Sequence, residues 1–161
     1  MKGAIYHIDI VVSNFSKSVR FYEGFLGWLG YREIFHEGEE AGWGIQGCNF
    51  WISQCKERFA QHGYHRKRVG VNHIAFHADS RKTVDQFYKE YLQPKNIPVL
   101  YGGPKEYPGY SKGYYSVYFE DPDRIKLNLP MFQVSEDLRR PIASGHQTFW
   151  SYQKMRNHCK E

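Results

Sequence analysis

Five identities recur in this chain at a single spacing. His7, Ile8, Phe21, Tyr22 and Leu26 return as His73, Ile74, Phe87, Tyr88 and Leu92, each pair 66 positions apart, as His73 is from His7. One recurrence of that length is too long for a stacked array and marks a duplicated supersecondary unit. Whatever one copy folds into, the other should fold into as well, with His7 and His73 at equivalent places.

Each copy reads in the same order. In the stretch Tyr6 to Val12, Ile8, Ile10 and Val12 alternate with His7, Asp9 and Val11, the period of a strand with one apolar face. The apolar face should meet helices, which turns His7 and Asp9 the other way. Asn14 supplies a cap, and Phe15, Val19, Tyr22 and Leu26 follow at helical spacing. A helix is predicted over 14–26, ended by Gly27, then strands over Tyr31 to Phe35, Trp43 to Gln46 and Asn49 to Gln54, parted by Gly38 to Gly42 and by Gly47. In the second copy Ile74, Phe76 and Ala78 alternate with His73, Ala75 and His77. A helix over 80–92 begins at Asp79 or Ser80 and stops before Pro94, and strands follow over Ile97 to Tyr101, Tyr114 to Glu120 and Ile125 to Leu129. Between them, residues 102–113 read as an ordered loop able to cover a cavity mouth.

The chain therefore divides into a βαβββ module over 1–55, a linker over 56–70, a second βαβββ module over 71–130 and an unpaired tail over 131–161. At 161 residues with 17% aromatics, it has the length and apolar payload for two small modules sharing a core. The net charge of +5 is dispersed, apart from the run His65 to Arg68, which reads as a solvated loop. No basic stripe interleaves with strand aromatics, so a nucleic-acid platform is not expected. Three cysteines without CxxC spacing give neither a disulfide framework nor a zinc ribbon and fit a reducing, cytoplasmic compartment. No apolar run approaches the roughly 18 residues of a membrane span.

Three stretches together resemble the vicinal oxygen chelate superfamily of glyoxalase I, bleomycin- and fosfomycin-resistance proteins and extradiol dioxygenases. They are His7-Ile8 running into Phe21-Tyr22 and Leu26-Gly27, His73-Ile74, and Asp121-Pro122-Asp123-Arg124-Ile125-Lys126-Leu127-Asn128. The resemblance covers about residues 5 to 130. It implies an α+β fold of two βαβββ modules whose sheets curl around a shared cavity, commonly assembled as a homodimer. It also implies a divalent metal ion (Zn, Ni, Fe or Mn) held by residues of the first and last strands of each module. Carried over, those positions are His7, His73 and Asn128, with Trp51 at the remaining one.

Two family glutamates are thus replaced, by Trp51 and Asn128. Two imidazoles and a neutral amide offer a cation no charge neutralisation, which weakens the site. Asp9 and His77, two residues along from the histidines, could supply a rearranged set. The resemblance implies a glyoxalase- or dioxygenase-like enzyme acting on an oxygen-bearing small molecule, with Trp51, Tyr101, Tyr118 and Lys126 touching the substrate. The competing expectation is a metal-free protein that sequesters an aromatic or anionic compound, which Trp51, the tyrosines and the missing carboxylates favour.

Overall fold

The computed structural model describes residues 5–131. The first module runs β1 (His7–Val12), α1 (Phe15–Trp28), β2 (Arg32–Glu37), β3 (Glu40–Ile45) and β4 (Cys48–Gln54). A short helix, α2 (Glu57–Ala60), lies in the linker. The second module runs β5 (His73–Ala75), α3 (Arg81–Gln86) continuing as a π-helical segment (Phe87–Leu92), β6 (Val99–Glu106), β7 (Tyr115–Glu120) and β8 (Lys126–Met131). Each module holds one four-stranded mixed sheet, ordered β1-β4-β3-β2 and β5-β8-β7-β6. The first strand pairs parallel with the last in both, His7 beside Asn49 and His73 beside Lys126. The repeat in the sequence is thus a repeat in topology, and the architecture is α+β. The tail over 132–161, with Phe149 to Tyr152 and Cys159, lies outside the described residues.

The helix starts are as the sequence suggests. Asn14 accepts the Lys17 amide at 2.9 Å, and Ser80, rather than Asp79, accepts the Thr83 amide at 3.1 Å. The end of α1 differs from expectation. Gly27 sits inside the helix, and the stop is Gly30, whose φ of +89° lets its amide reach Gly27 O at 3.0 Å while Tyr31 N reaches Leu26 O at 2.9 Å. This pair of bonds is the Schellman arrangement, which needs a left-handed residue one place beyond the cap.

Two strands also depart from their expected bounds. β3 begins at Glu40, because Glu37 and Glu40 close a hairpin across Gly38-Glu39, so Gly42 belongs to the strand. β6 extends to Glu106 through a break in register between Leu100 and Lys105, where Tyr101, Gly102 and Gly103 have φ of 61°, 83° and 96°. The first part of the expected covering loop, residues 102–106, is therefore a bulged strand.

The apolar faces of both sheets meet in one core. Phe25 of α1 touches Phe76 at 4.9 Å, Phe119 at 5.2 Å and Phe87 at 5.7 Å between ring centroids, so one helix of the first module packs on strand and helix residues of the second. Close approach of the helices depends on Gly24, where an added Cβ would lie 2.8 Å from the Tyr91 hydroxyl. Tyr91 in turn donates to the Phe21 carbonyl at 3.3 Å. Phe25, Leu26, Phe87, Leu92, Phe119 and Leu127 are completely buried, each contributing on the order of 2 kcal/mol by removal from water. No helix among the described residues is long and apolar enough to cross a membrane.

Candidate functional site

Strand alternation, with Ile10, Val12, Phe50 and Ile52 on the core side, leaves His7, Asp9, Asn49, Trp51 and Ser53 on the opposite face of the first sheet. The register places Asp9 directly beside Trp51. The Trp51 indole lies flat on Gly42 of the adjacent strand: a Cβ there would fall 2.7 to 2.9 Å from three of its ring carbons. Phe35 flanks it at 5.5 Å. This glycine was expected in a turn, yet it is what lets the indole lie down against the sheet. His7 meets Tyr6 edge-on at 5.8 Å.

On the second sheet, Ile74, Leu127, Leu129, Val117 and Phe119 take the core side and are buried. The other face carries His73, Lys126, Asn128, Ser116 and Tyr118. Asn128 is wholly buried, donating through Nδ2 to Tyr114 Oη at 3.1 Å and Ser116 Oγ at 3.3 Å, while its Oδ1 has no hydrogen-bond partner. Tyr118 lies at the centre of an aromatic group, with Tyr107 at 5.2 Å, Tyr101 at 5.4 Å and His73 at 6.4 Å. Tyr110 stacks on Tyr114 at 5.2 Å. Tyr101 achieves its contact from a left-handed backbone, a conformation that non-glycine residues adopt at a cost and that concentrates at binding sites.

The electrostatics of this face disfavour a cation. The Lys126 ammonium sits 5.7 Å from the Tyr118 ring centroid and in register beside His73. Partial desolvation of the His73 ring, and then the Lys126 charge, hold its imidazole below the ordinary value, so it is neutral at pH 7. Burial, reinforced by the neighbouring phenols, pushes Tyr107 up to about 12 and Tyr118 higher, so both remain protonated donors. The one carboxylate in register with Lys126, Glu120, is buried and bonded to Arg66, with Arg124 at 3.7 Å. Glu120 is thus shared by Arg66 and Arg124.

Each expected metal ligand has its own local partners. His7 is on the first sheet with Tyr6; His73 accompanies Asn72, at 2.8 Å, and Lys126; Asn128 is held by Tyr114 and Ser116. Among the described residues no three His, Cys, Asp or Glu side chains converge as a metal group. The donors present, a neutral imidazole beside an ammonium and a buried amide, do not fit a divalent cation, which requires anionic oxygen, thiolate or unopposed imidazole. The expected substrate contacts Tyr101, Tyr118 and Lys126 do come together on the second sheet, whereas Trp51 stands on the first. Sequence reasoning missed Ser116, Phe35 and Gly42; the alternation through β7 places Ser116 with Tyr118 and was available to find it.

With this fold and these faces in view, comparison with known proteins is decisive about class. Residues 4–129 match the family model of the Glyoxalase/Bleomycin resistance protein/Dioxygenase superfamily, and the chain belongs to that superfamily. It is 42% identical over 125 residues to the uncharacterized protein YqjT of Bacillus subtilis (strain 168), a match that spans 78% of this chain and 96% of that one. Among solved structures, a glyoxalase-type protein from Bacillus halodurans is similar with a TM-score of 0.75 and 32% identity, over 81% of this chain and 97% of its own. The fosfomycin resistance protein FosX of Listeria monocytogenes shares the fold, with a TM-score of 0.60 at 22% identity over 84% of this chain and 98% of its own.

Proposed function

We propose that this chain binds an anionic aromatic small molecule and does so without a metal ion. The observation that supports this reading is Lys126: an ammonium stands beside His73 and over Tyr118, where the resemblance implies a cation held by imidazole and carboxylate. An ammonium repels a divalent ion and attracts a carboxylate or phenolate, and tyrosines at 5 to 6 Å around Tyr118 offer ring edges and hydroxyl donors to an aromatic body. Trp51, lying flat on the first sheet, suits a planar partner.

Calorimetric titration with 1-naphthoate tests the reading. Binding unaffected by EDTA, and weakened about ten- to a hundredfold in Lys126→Met, is expected, since a charged hydrogen bond or contact contributes roughly 1.5–3 kcal/mol. The competing reading, a metal-dependent lyase or dioxygenase, draws on the matched positions of His7 and His73 at the starts of β1 and β5. Stoichiometric zinc, nickel, iron or manganese in the purified protein, with ligand binding lost on its removal, would favour that reading and overturn ours. We further infer that the protein is a homodimer, since β1 and β5 are edge strands in their sheets and edges of this kind are commonly covered by assembly.

A further inference from the structure

The hollow that the two modules share lies beside the faces just described and has only Asn49 in common with the residues named there. It has a volume of about 430 Å³ and opens along the seam between the modules, with Ile8, Ile45 and Phe50 on one side and Ile74, Ala75 and Phe76 on the other. None of His7, Trp51, His73, Tyr101, Tyr118, Lys126 or Asn128 lines it. The volume falls within the roughly 300–1,000 Å³ of small-molecule pockets, which favour boundaries between structural units.

Its lining is specific in chemistry. Among the described residues, not one Asp, Glu, Lys or Arg side chain contributes to the wall, although the chain as a whole is 24% charged. The polar groups of the wall are Tyr31, Gln46, Cys48, Asn49 and His77. Tyr31 and Cys48, with Asn49 next in sequence, form a polar station on the first module's side. Desolvation and the Cys48 contact raise the Tyr31 phenol above its ordinary value. A charged ligand entering such a space would lose hydration with no counter-charge, a far larger cost than burying a hydroxyl or carbonyl that finds a partner.

We propose that this seam is a second binding site, for an uncharged and mainly apolar small molecule carrying a carbonyl or hydroxyl group toward Tyr31, Cys48 and Asn49. The occupant differs in charge from the anion assigned to the Lys126 face, so the two sites can be tested separately. Cys48 is a free cysteine, partly exposed, and serves as an internal reporter. Ala75 is the small residue on β5 whose enlargement would fill the hollow from the second module's side.

The neutral fluorophore N-phenyl-1-naphthylamine is the probe. Saturable binding at one molecule per chain is expected, weakened at least tenfold in Ala75→Leu and unchanged in Lys126→Met and Trp51→Ala. In a Cys55→Ser, Cys159→Ser background that retains the native cavity, saturating probe should slow the reaction of Cys48 with Ellman's reagent at least fivefold. Binding that fails to saturate, or that is equally tight in a folded Ala75→Leu, would overturn the proposal. So would a Cys48 rate indifferent to bound probe, or a seam closed in solution, with Cys48 unreactive and no probe taken up because a second copy covers it. Loss of probe binding in Lys126→Met with Ala75→Leu unaffected would place the fluorophore on the other site and refute the seam.

Discussion

Tyr22 donates its hydroxyl hydrogen to Asp121 at 2.8 Å, tying the middle of the first module's helix to the turn before the second module's last strand. The same carboxylate accepts the amides of Asp123 at 2.9 Å and Ile125 at 2.7 Å, shaping the Asp-Pro-Asp turn. Burial nevertheless outweighs these bonds and raises Asp121 to about 6. The folded protein thus holds this proton more tightly than the unfolded chain, whose value is near 3.8.

The sign of the resulting pH dependence follows. Below about pH 4 both states carry the proton and the contribution is complete; as pH rises toward 6 the folded state loses relative stability. Asp121→Asn cannot ionise and escapes that loss. Its stability relative to the natural chain should rise by roughly 2–3 kcal/mol between pH 4 and pH 7. Urea denaturation of both proteins at the two pH values measures this, and parallel curves would exclude a raised carboxyl.

Lys126 and His73 provide a second check. Removing the ammonium in Lys126→Met should raise the His73 titration midpoint toward its ordinary 6.5, though not fully, since desolvation is the larger cause of its depression. Histidine proton resonances followed from pH 4 to 8 report the shift. An unchanged midpoint would separate the two side chains and remove the main support for an anion site.

Gly42 should tolerate no side chain. A methyl group 2.7 to 2.9 Å from the indole must push Trp51 off the sheet and disturb Phe35 beside it. Overpacking of this kind costs about 1–3 kcal/mol. Gly42→Ala should therefore melt several degrees lower and bind 1-naphthoate more weakly, whereas the double variant Gly42→Ala, Trp51→Ala should regain the stability but not the binding. Thermal melts of the three proteins decide it.

Assembly is checked directly by light scattering. A homodimer has twice the 19.1 kDa mass of the chain. A mass equal to one chain at micromolar concentration would exclude it.

Much of the fold was legible because its signals are local and duplicated. His7-Ile8 and His73-Ile74 open matching strands, and Asn14 and Ser80 cap the helices that follow. What escaped depended on distant partners. Gly42 reads as a breaker until Trp51 is seen lying across it from the next strand, and Gly27 reads as a stop until Gly30 is seen to supply the left-handed residue. The break in β6 at Tyr101 arises from tertiary pairing with β7, which no periodicity announces. For the site, alternation placed Lys126, Tyr118 and Asn128 on one face, but it could not reveal that Asn128 is sealed beneath Tyr114 and Ser116. Nor could it find the seam, which exists only where two modules abut.

Because Phe25 reaches Phe76, Phe87 and Phe119, the repeated halves are not interchangeable beads on a string. Each half exposes, when alone, the aromatic surface that the other conceals. A chain nicked between Glu57 and Gly70 should therefore hold together, its fragments recognising each other as halves of one object. Neither fragment should remain soluble by itself. The ancestral duplication survives here as mutual dependence, and later changes on one side of the Gly24–Tyr91 contact are constrained by the other.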